Sequence, residues 1–252
     1  MHSKSQQQLS SLFKTSYVKL PLNELLLNIP NKPLKNELLL STIYGGNKLK
    51  NAYFGLRHGQ SKSNLLGKIS SNALVGSSSH GLTELGVNQA KESATKLKEL
   101  INSNEVLFLS SNFTRARETA EYCIESLQKT YNLNYNYMIR TELNERYFGL
   151  YDDTDLLYYN RVWPIDQLDS TNDRYGVKSI EAVITRLLKL ISYYETNYKN
   201  TNIVCVSHAD TLQIFNMLLC GLDARNFSQY RFNNGEVRDL SLTPSLNPVV
   251  YN

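Results

Sequence analysis

Only three of the 252 residues are cysteines, Cys123, Cys205 and Cys220, and they form no C-x-x-C pair. An odd, scattered count excludes a disulfide framework and a cysteine zinc site, and reads as free thiols in a reducing compartment. All three fall in apolar-patterned segments, where a thiol packs as a small hydrophobe. No apolar run reaches membrane-spanning length. LNELLLN (22–28) is too short, and the stretch 180–194 is broken by Arg186 and Lys189. Net charge is only +4, from 27 Lys and Arg against 23 Asp and Glu. That is too mild for a nucleic-acid partner, which calls for a clustered basic face, and it suits a small anionic substrate. The first 20 residues lack acidic side chains, as a transit peptide does, but no arginine precedes Arg57, and a transit peptide is rich in it. The expectation is a cytoplasmic protein with no nucleic-acid or membrane partner. Organelle targeting by an N-terminal leader is the alternative.

What is present is ordinary for one globular core: 41% hydrophobic and 20% charged residues. Residues 1–50 stand apart. They open on the polar MHSKSQQQLS and are punctuated by Pro30, Pro33 and Gly45-Gly46. We read 1–50 as a partly mobile N-terminal extension and 51–252 as the folded domain. From Ala52 onward, unbroken apolar runs alternate with amphipathic patterns. AYFGL (52–56), VLFLS (106–110), YNYMIR (135–140), NIVCVS (202–207) and EVRDLSL (236–242) read as strands. Helices are expected over 83–102, with Thr83 as N-cap, and over 113–128, 178–197 and 209–220. Segments 60–81 and 151–177 read as irregular, the latter interrupted by Trp163-Pro164. The alternation predicts an α/β fold: three layers, a mostly parallel central sheet with helices on both faces. Ligands bind such sheets beyond the carboxyl ends of the strands.

Four places that carry chemistry stand at those ends or at helix openings. Arg57-His58-Gly59 follows the first strand. SSNFTRARETA (110–120) offers Arg115 and Arg117. ELNERYFG (142–149) offers Glu142, Glu145 and Arg146. VSHAD (206–210) offers His208 and Asp210. In a parallel sheet these converge on one rim, and together they suit phosphoryl transfer. Arginine forks match phosphate oxygens. Neutral imidazole is a nucleophile near pH 7. A carboxyl group can protonate the leaving oxygen. Gly59 permits close backbone approach to a ligand, and helices opening near 112 and 209 can aim N–H groups at an anion. Taken singly, each residue has a plainer reading: a satisfied histidine, a solvated helix arginine (favoured for Arg117), a Glu145–Arg146 pair on a loop. His80 is expected to be exposed in a polar loop, and His2 lies in the tail. No His or carboxylate cluster has metal-ligand spacing.

LRHGQSKSN (56–64) resembles the signature of the histidine phosphatase superfamily, the phosphoglycerate mutase-like family. GLTELGVNQA (81–90), SSNFTRARETA, LNERYFG (143–149) and VSHADTLQI (206–214) resemble its further motifs, in the family's order, over about residues 52–215. The resemblance implies that His58 is phosphorylated and that His208 holds phosphoryl oxygens. Arg57, Arg115 and Asn64 would complete the clamp, with Gly59 and Ala209 at the phosphate, and Glu145 would be the proton donor. It implies no metal and no cofactor, a small phosphorylated substrate, and 51–252 as the catalytic domain. There are departures. Ala209 stands where members often carry glycine. Asp210, two residues after His208, is a second candidate acid. The mutases of the family have a tyrosine where this chain has Phe148, a lysine shortly downstream, and an adjacent arginine pair in the next insert. Here 150–160 holds three aspartates and no lysine, and Arg161 and Arg174 are not adjacent. The expectation is a metal-independent phosphatase. A phosphoglycerate mutase and a non-catalytic phosphate-binding module are the alternatives.

Overall fold

The structure is a computed structural model that describes residues 49–101 and 105–247. The N-terminal extension, except Leu49 and Lys50, and His2 lie outside these residues. The elements in chain order are β1 (Ala52–Arg57), the short helices α1 (Lys62–Leu65) and α2 (Ala73–Gly76), α3 (Glu84–Leu100), β2 (Glu105–Ser110), α4 (Thr114–Tyr131) and β3 (Asn134–Ile139). Then come α5 (Tyr159–Asp166), α6 (Ile180–Asn197), β4 (Asn202–Ser207), α7 (Ala209–Leu219) and β5 (Val237–Asp239).

The strands form one sheet in the order β3-β2-β4-β1-β5. The first four run parallel, and β5 pairs antiparallel to β1. Side chains alternate across it with period two. Phe54, Leu56, Val106, Phe108, Val204 and Val206 face one helical layer, with Ala94 and Leu97 of α3 and Ala120 and Leu127 of α4. Tyr53, Leu107, Leu109, Ile203 and Cys205 face the other, with Ile184 and Leu187 of α6 and Ile214 and Phe215 of α7. Both faces are buried, which is why these strands read as unbroken apolar runs. Each Val, Leu, Ile or Phe among them contributes about 1.5–3 kcal/mol by leaving water. Cys123 and Cys205 are buried and Cys220 is half-buried. Among the described residues no helix is long and apolar enough to cross a membrane.

The expected cap forms: Thr83 Oγ1 accepts from Gly86 N at 3.1 Å to start α3. Register sets the site. Arg57 lies opposite Ser207, and Ser110 opposite Val206, so β1, β2 and β4 end on one rim.

Two segments read as irregular hold helix. Ser61 starts α1 inside the 60–81 loop with a reciprocal cap to Asn64. Helix α5 carries Pro164 within it and buries Val162, Trp163, Ile165 and Asp166. A proline penalty of about 3 kcal/mol is outweighed there by the packing of this face. Val162 joins Ile69, Phe148 and Val177 in a third apolar cluster. Gly149, at φ +56, anchors the chain below it, because a Cβ there would lie 2.0 Å from Tyr175 O.

Candidate active site

His58 leaves β1 with its backbone N–H on Ser207 O at 3.0 Å, extending the ladder by one bond. Its Nδ1 lies 2.7 Å from Gly59 O. A carbonyl only accepts, so Nδ1 carries the hydrogen and Nε2 carries the lone pair. Arg115 Nε donates to that Nε2 at 3.0 Å. His58 is buried, and burial first, then Arg115 and Arg57, hold its pKa well below the ordinary histidine value. The ring is neutral at pH 7, as a nucleophile requires.

His208 follows β4, fully buried, its ring centroid 5.1 Å from that of His58. Its tautomer follows from its neighbours. Asn112 N donates to Asn144 Oδ1 at 2.8 Å, which fixes the amide orientation, and Ser111 Oγ donates its one hydrogen to the same oxygen at 3.0 Å. Ser111 Oγ therefore accepts from His208 Nε2, 2.8 Å away. That leaves Nδ1 of His208 buried with no hydrogen-bond partner among the described residues. Burial, then Arg115 and His58, hold this pKa low as well.

Arg115, in the first turn of α4, is buried. Beyond His58, among the described residues, it bonds only to Ser70: Nη2 to the carbonyl at 2.8 Å and Nη1 to Oγ at 3.3 Å. Burial pulls the guanidinium down to about 10, against the pull of Glu145, so it remains charged at neutral pH. Arg57 Nη1 donates to Phe232 O at 2.5 Å. Asn64 Oδ1 is taken by Ser61 N and Oγ and by Asn234 Nδ2, which leaves the Nδ2 amide as its donor side. Asn234 also donates to His58 O at 3.0 Å. Ala209 opens α7 directly after His208.

Glu145 is half-buried. Its Oε1 accepts from Arg146 N at 2.8 Å and lies 3.3 Å from Thr211 Oγ1. The Arg146 side chain takes no part in that contact. It is sealed in the interior, bidentate to Asp166 at 2.6 and 2.9 Å. Asp210 Oδ2 lies 3.6 Å from Arg146 Nη1 and accepts from Trp163 Nε1 at 3.3 Å. One cation between two buried carboxylates leaves one of them to hold a proton. Burial, then the Glu145 charge, push Asp210 up to about 8. Asp210 Oδ2 is engaged by Trp163 and faces Arg146 in the interior, whereas Glu145 is half-buried.

The structure thus brings Arg57, His58, Arg115, Glu145 and His208 to one rim, with Asn64 and Ala209 at its edge. Several expectations need correction. Gly59 is glycine because a Cβ would lie 2.2 Å from Gly86 O; its N–H is given to Thr119 Oγ1 at 3.0 Å. Arg117 is not a solvated helix arginine: it bonds Asn112 O and Ser77 O at 3.0 and 3.1 Å, tying α4 to the turn after α2. His80 is half-buried, its Nδ1 3.0 Å from Ser70 Oγ. Ser70, Ser111, Asn144 and Asn234 went unread as site residues. Ser111 and Asn144 stood inside quoted motifs, but nothing near Asn234 marks a partner 170 positions away.

Residues 54–250 match the model of the histidine phosphatase superfamily, branch 1. The chain belongs to the histidine phosphatase superfamily. Its fold is shared with solved structures of low identity. A mycobacterial glucosyl-3-phosphoglycerate phosphatase matches with 21% identity and TM-score 0.58, over 74% of this chain and 88% of that one. The alpha-ribazole phosphatase of Shigella flexneri matches with 22% identity and TM-score 0.56, over 80% of this chain and all of its own. No curated protein is significantly similar in sequence. As a histidine phosphatase superfamily member, the chain carries His58, Arg115, Glu145 and His208 where its motifs resemble those of the family. Among the described residues no three His, Cys, Asp or Glu side chains gather as a metal site.

Proposed function

We propose that the protein hydrolyses small phosphate monoesters through a phosphohistidine at His58. One observation carries the reading. A buried arginine with only neutral partners meets the Nε2 lone pair of one histidine, beside a second histidine whose Nδ1 has no partner. A dianionic phosphoryl group supplies what this arrangement lacks. Arg57 and Arg115 take its oxygens as fork donors. His208 binds one once its Nδ1 gains a proton, which the approaching anion favours. With Arg115 turned to phosphate oxygens, the His58 lone pair is released. Nε2 then attacks phosphorus as the ester P–O bond breaks, and Glu145 gives its proton to the leaving oxygen. In the second half, the Glu145 carboxylate takes a proton from water. The water oxygen bonds phosphorus, the P–N bond breaks, and inorganic phosphate departs.

Arginine and histidine supply the positive charge, so no metal is called for. Phe148 counts against the mutase: it is buried in the third apolar cluster, edge-on to Tyr159 at 4.8 Å, and has no hydroxyl to offer. Arg174 is exposed and Arg161 half-buried. The aspartates of 150–160 weigh less than their charge suggests. Asp152 is spent on Ser71 and Asn72, and Asp153 on Lys68. The two similar folds are named as phosphatases of small phosphorylated compounds, which fits the substrate class. Turnover of p-nitrophenyl phosphate in excess EDTA tests the reading. Undiminished turnover is expected. Loss restored by a divalent metal would refute metal independence, and no turnover with or without metal would favour the binding module.

A further inference from the structure

Glu145 must do two opposite things in this reaction, donate a proton and then accept one. The side chains around it are arranged for that change. Its Oε1 is held by Arg146 N at 2.8 Å and faces Thr211 Oγ1 at 3.3 Å. Its Oε2 has no hydrogen-bond partner among the described residues, and Glu145 is half-buried, so Oε2 is the oxygen left to meet a substrate. Thr211, on the first turn of α7, is fully buried. Its hydroxyl accepts from Arg186 Nη2 at 3.0 Å and lies 2.9 Å from Asn144 O. Arg186 Nη1 reaches Thr141 O at 3.4 Å, so the guanidinium links the segment that carries Glu145 to α7.

A threonine hydroxyl has one hydrogen to give. Arg186 only donates, so that hydrogen goes either to Asn144 O or to Glu145 Oε1. A carboxylate is the stronger acceptor and a protonated carboxyl the weaker one. The hydrogen therefore turns to Glu145 when it is ionised and back to Asn144 when it is protonated. We propose that Thr211, locked by Arg186, is a positioning residue: it joins Arg146 N in binding Oε1 when Glu145 is ionised, turns away when Glu145 is protonated, and so reserves Oε2 for the travelling proton. This rests on the reading of Glu145 as the general acid. The charges that face Glu145 are the cations Arg115, Arg186 and Arg146 and the carboxyl group of Asp210, and Glu142 also acts on Arg186. Neutral His58 and His208 complete the rim.

The experiment is a pH profile of kcat/KM for glycerol phosphate and for p-nitrophenyl phosphate, in wild type, Thr211→Val, Thr211→Ser, Arg186→Met and Glu145→Gln. Thr211→Val is expected to lower glycerol phosphate turnover about tenfold at unchanged KM and to spare the aryl ester, whose leaving group needs little protonation. Loss of a donor to the ionised form moves the basic limb up by about one pH unit. Thr211→Ser restores both, and Arg186→Met moves the limb the same way. Equal losses on both substrates, an unmoved limb, or a serine variant no better than valine would overturn the proposal. If Thr211→Val does not fold, Thr211→Ala decides by the same limb and the same alkyl-against-aryl split. Glu145→Gln separates the two claims. If it spares glycerol phosphate, the acid assignment itself fails. If it selectively removes that activity while Thr211→Val does not, only the positioning role fails.

Discussion

Two buried arginines feel the charge of Glu145, and they are opposites. Arg146 is fully enclosed, paired on both nitrogens with Asp166, close to Asp210, and bonded through Nε to Lys178 O. Burial depresses its pKa, but Asp166, Asp210 and Glu145 together more than reverse this and raise it. Arg115 is equally removed from water, yet it bonds one imidazole and one serine and no carboxylate. Burial leaves it lowered, to about 10. A buried cation saturated by carboxylates is part of the framework. A buried cation offered only neutral partners still has charge to share, and an anion is its natural complement.

The largest expected effect separates the two. Arg115→Met should cut kcat/KM on p-nitrophenyl phosphate by about a hundred- to a thousandfold, with a melting temperature at or above wild type, since an uncompensated buried charge is removed. Arg146→Met should do the reverse, destabilising by about 3–5 kcal/mol because Asp166 is left unpaired in the interior. Denaturant unfolding and steady-state rates on both variants check this. A stable Arg146→Met protein, or an Arg115→Met protein of full activity, breaks the comparison.

Asp210→Asn gives a smaller effect. The folded-state pKa of Asp210, about 8, lies above the ordinary 3.8. The folded protein therefore holds a proton that the unfolded chain releases, and stability falls as pH rises between those values. Asparagine matches the protonated carboxyl and removes that titration. The variant should gain on wild type from pH 4 to 8 in parallel denaturation curves and level off above. A gap that narrows as pH rises would contradict the assignment, and a collapse of alkyl phosphate turnover would move the acid role to Asp210.

The smallest effect concerns the histidines. Both are held below the ordinary value of 6.5. Below that pH the unfolded chain takes up protons that the native state refuses. Stability then falls as pH drops, by about 1.4 kcal/mol per unit for each histidine. His58→Gln should halve that part of the slope between pH 6.5 and 5.5. An unchanged slope would mean that His58 is protonated in the folded state.

The parts of this architecture that the chain spells locally were legible. β1, β2 and β4 are unbroken apolar runs, and each ends one or a few residues before His58, Arg115 or His208. The parallel arrangement then brings those ends together without further information. What stayed hidden depends on distant partners. Helix α5 forms across Pro164 because its buried face packs on elements that the local pattern does not show. The glycine at 59 answers to Gly86, a contact between backbones that no spacing reports. The pairing of Arg146 with Asp166 spans 20 positions, and Asn234 reaches Asn64 from the turn before β5.

The central claim is that the lone pair on His58 Nε2 receives the phosphoryl group. Mixing enzyme with excess substrate, quenching within milliseconds in base, and locating phosphate by peptide mass spectrometry tests it directly. The account predicts at most one phosphate per chain, on His58, lost in acid, kept in base and absent from His58→Ala. Phosphate on His208 or on a base-labile serine, or full turnover by His58→Ala, would contradict it.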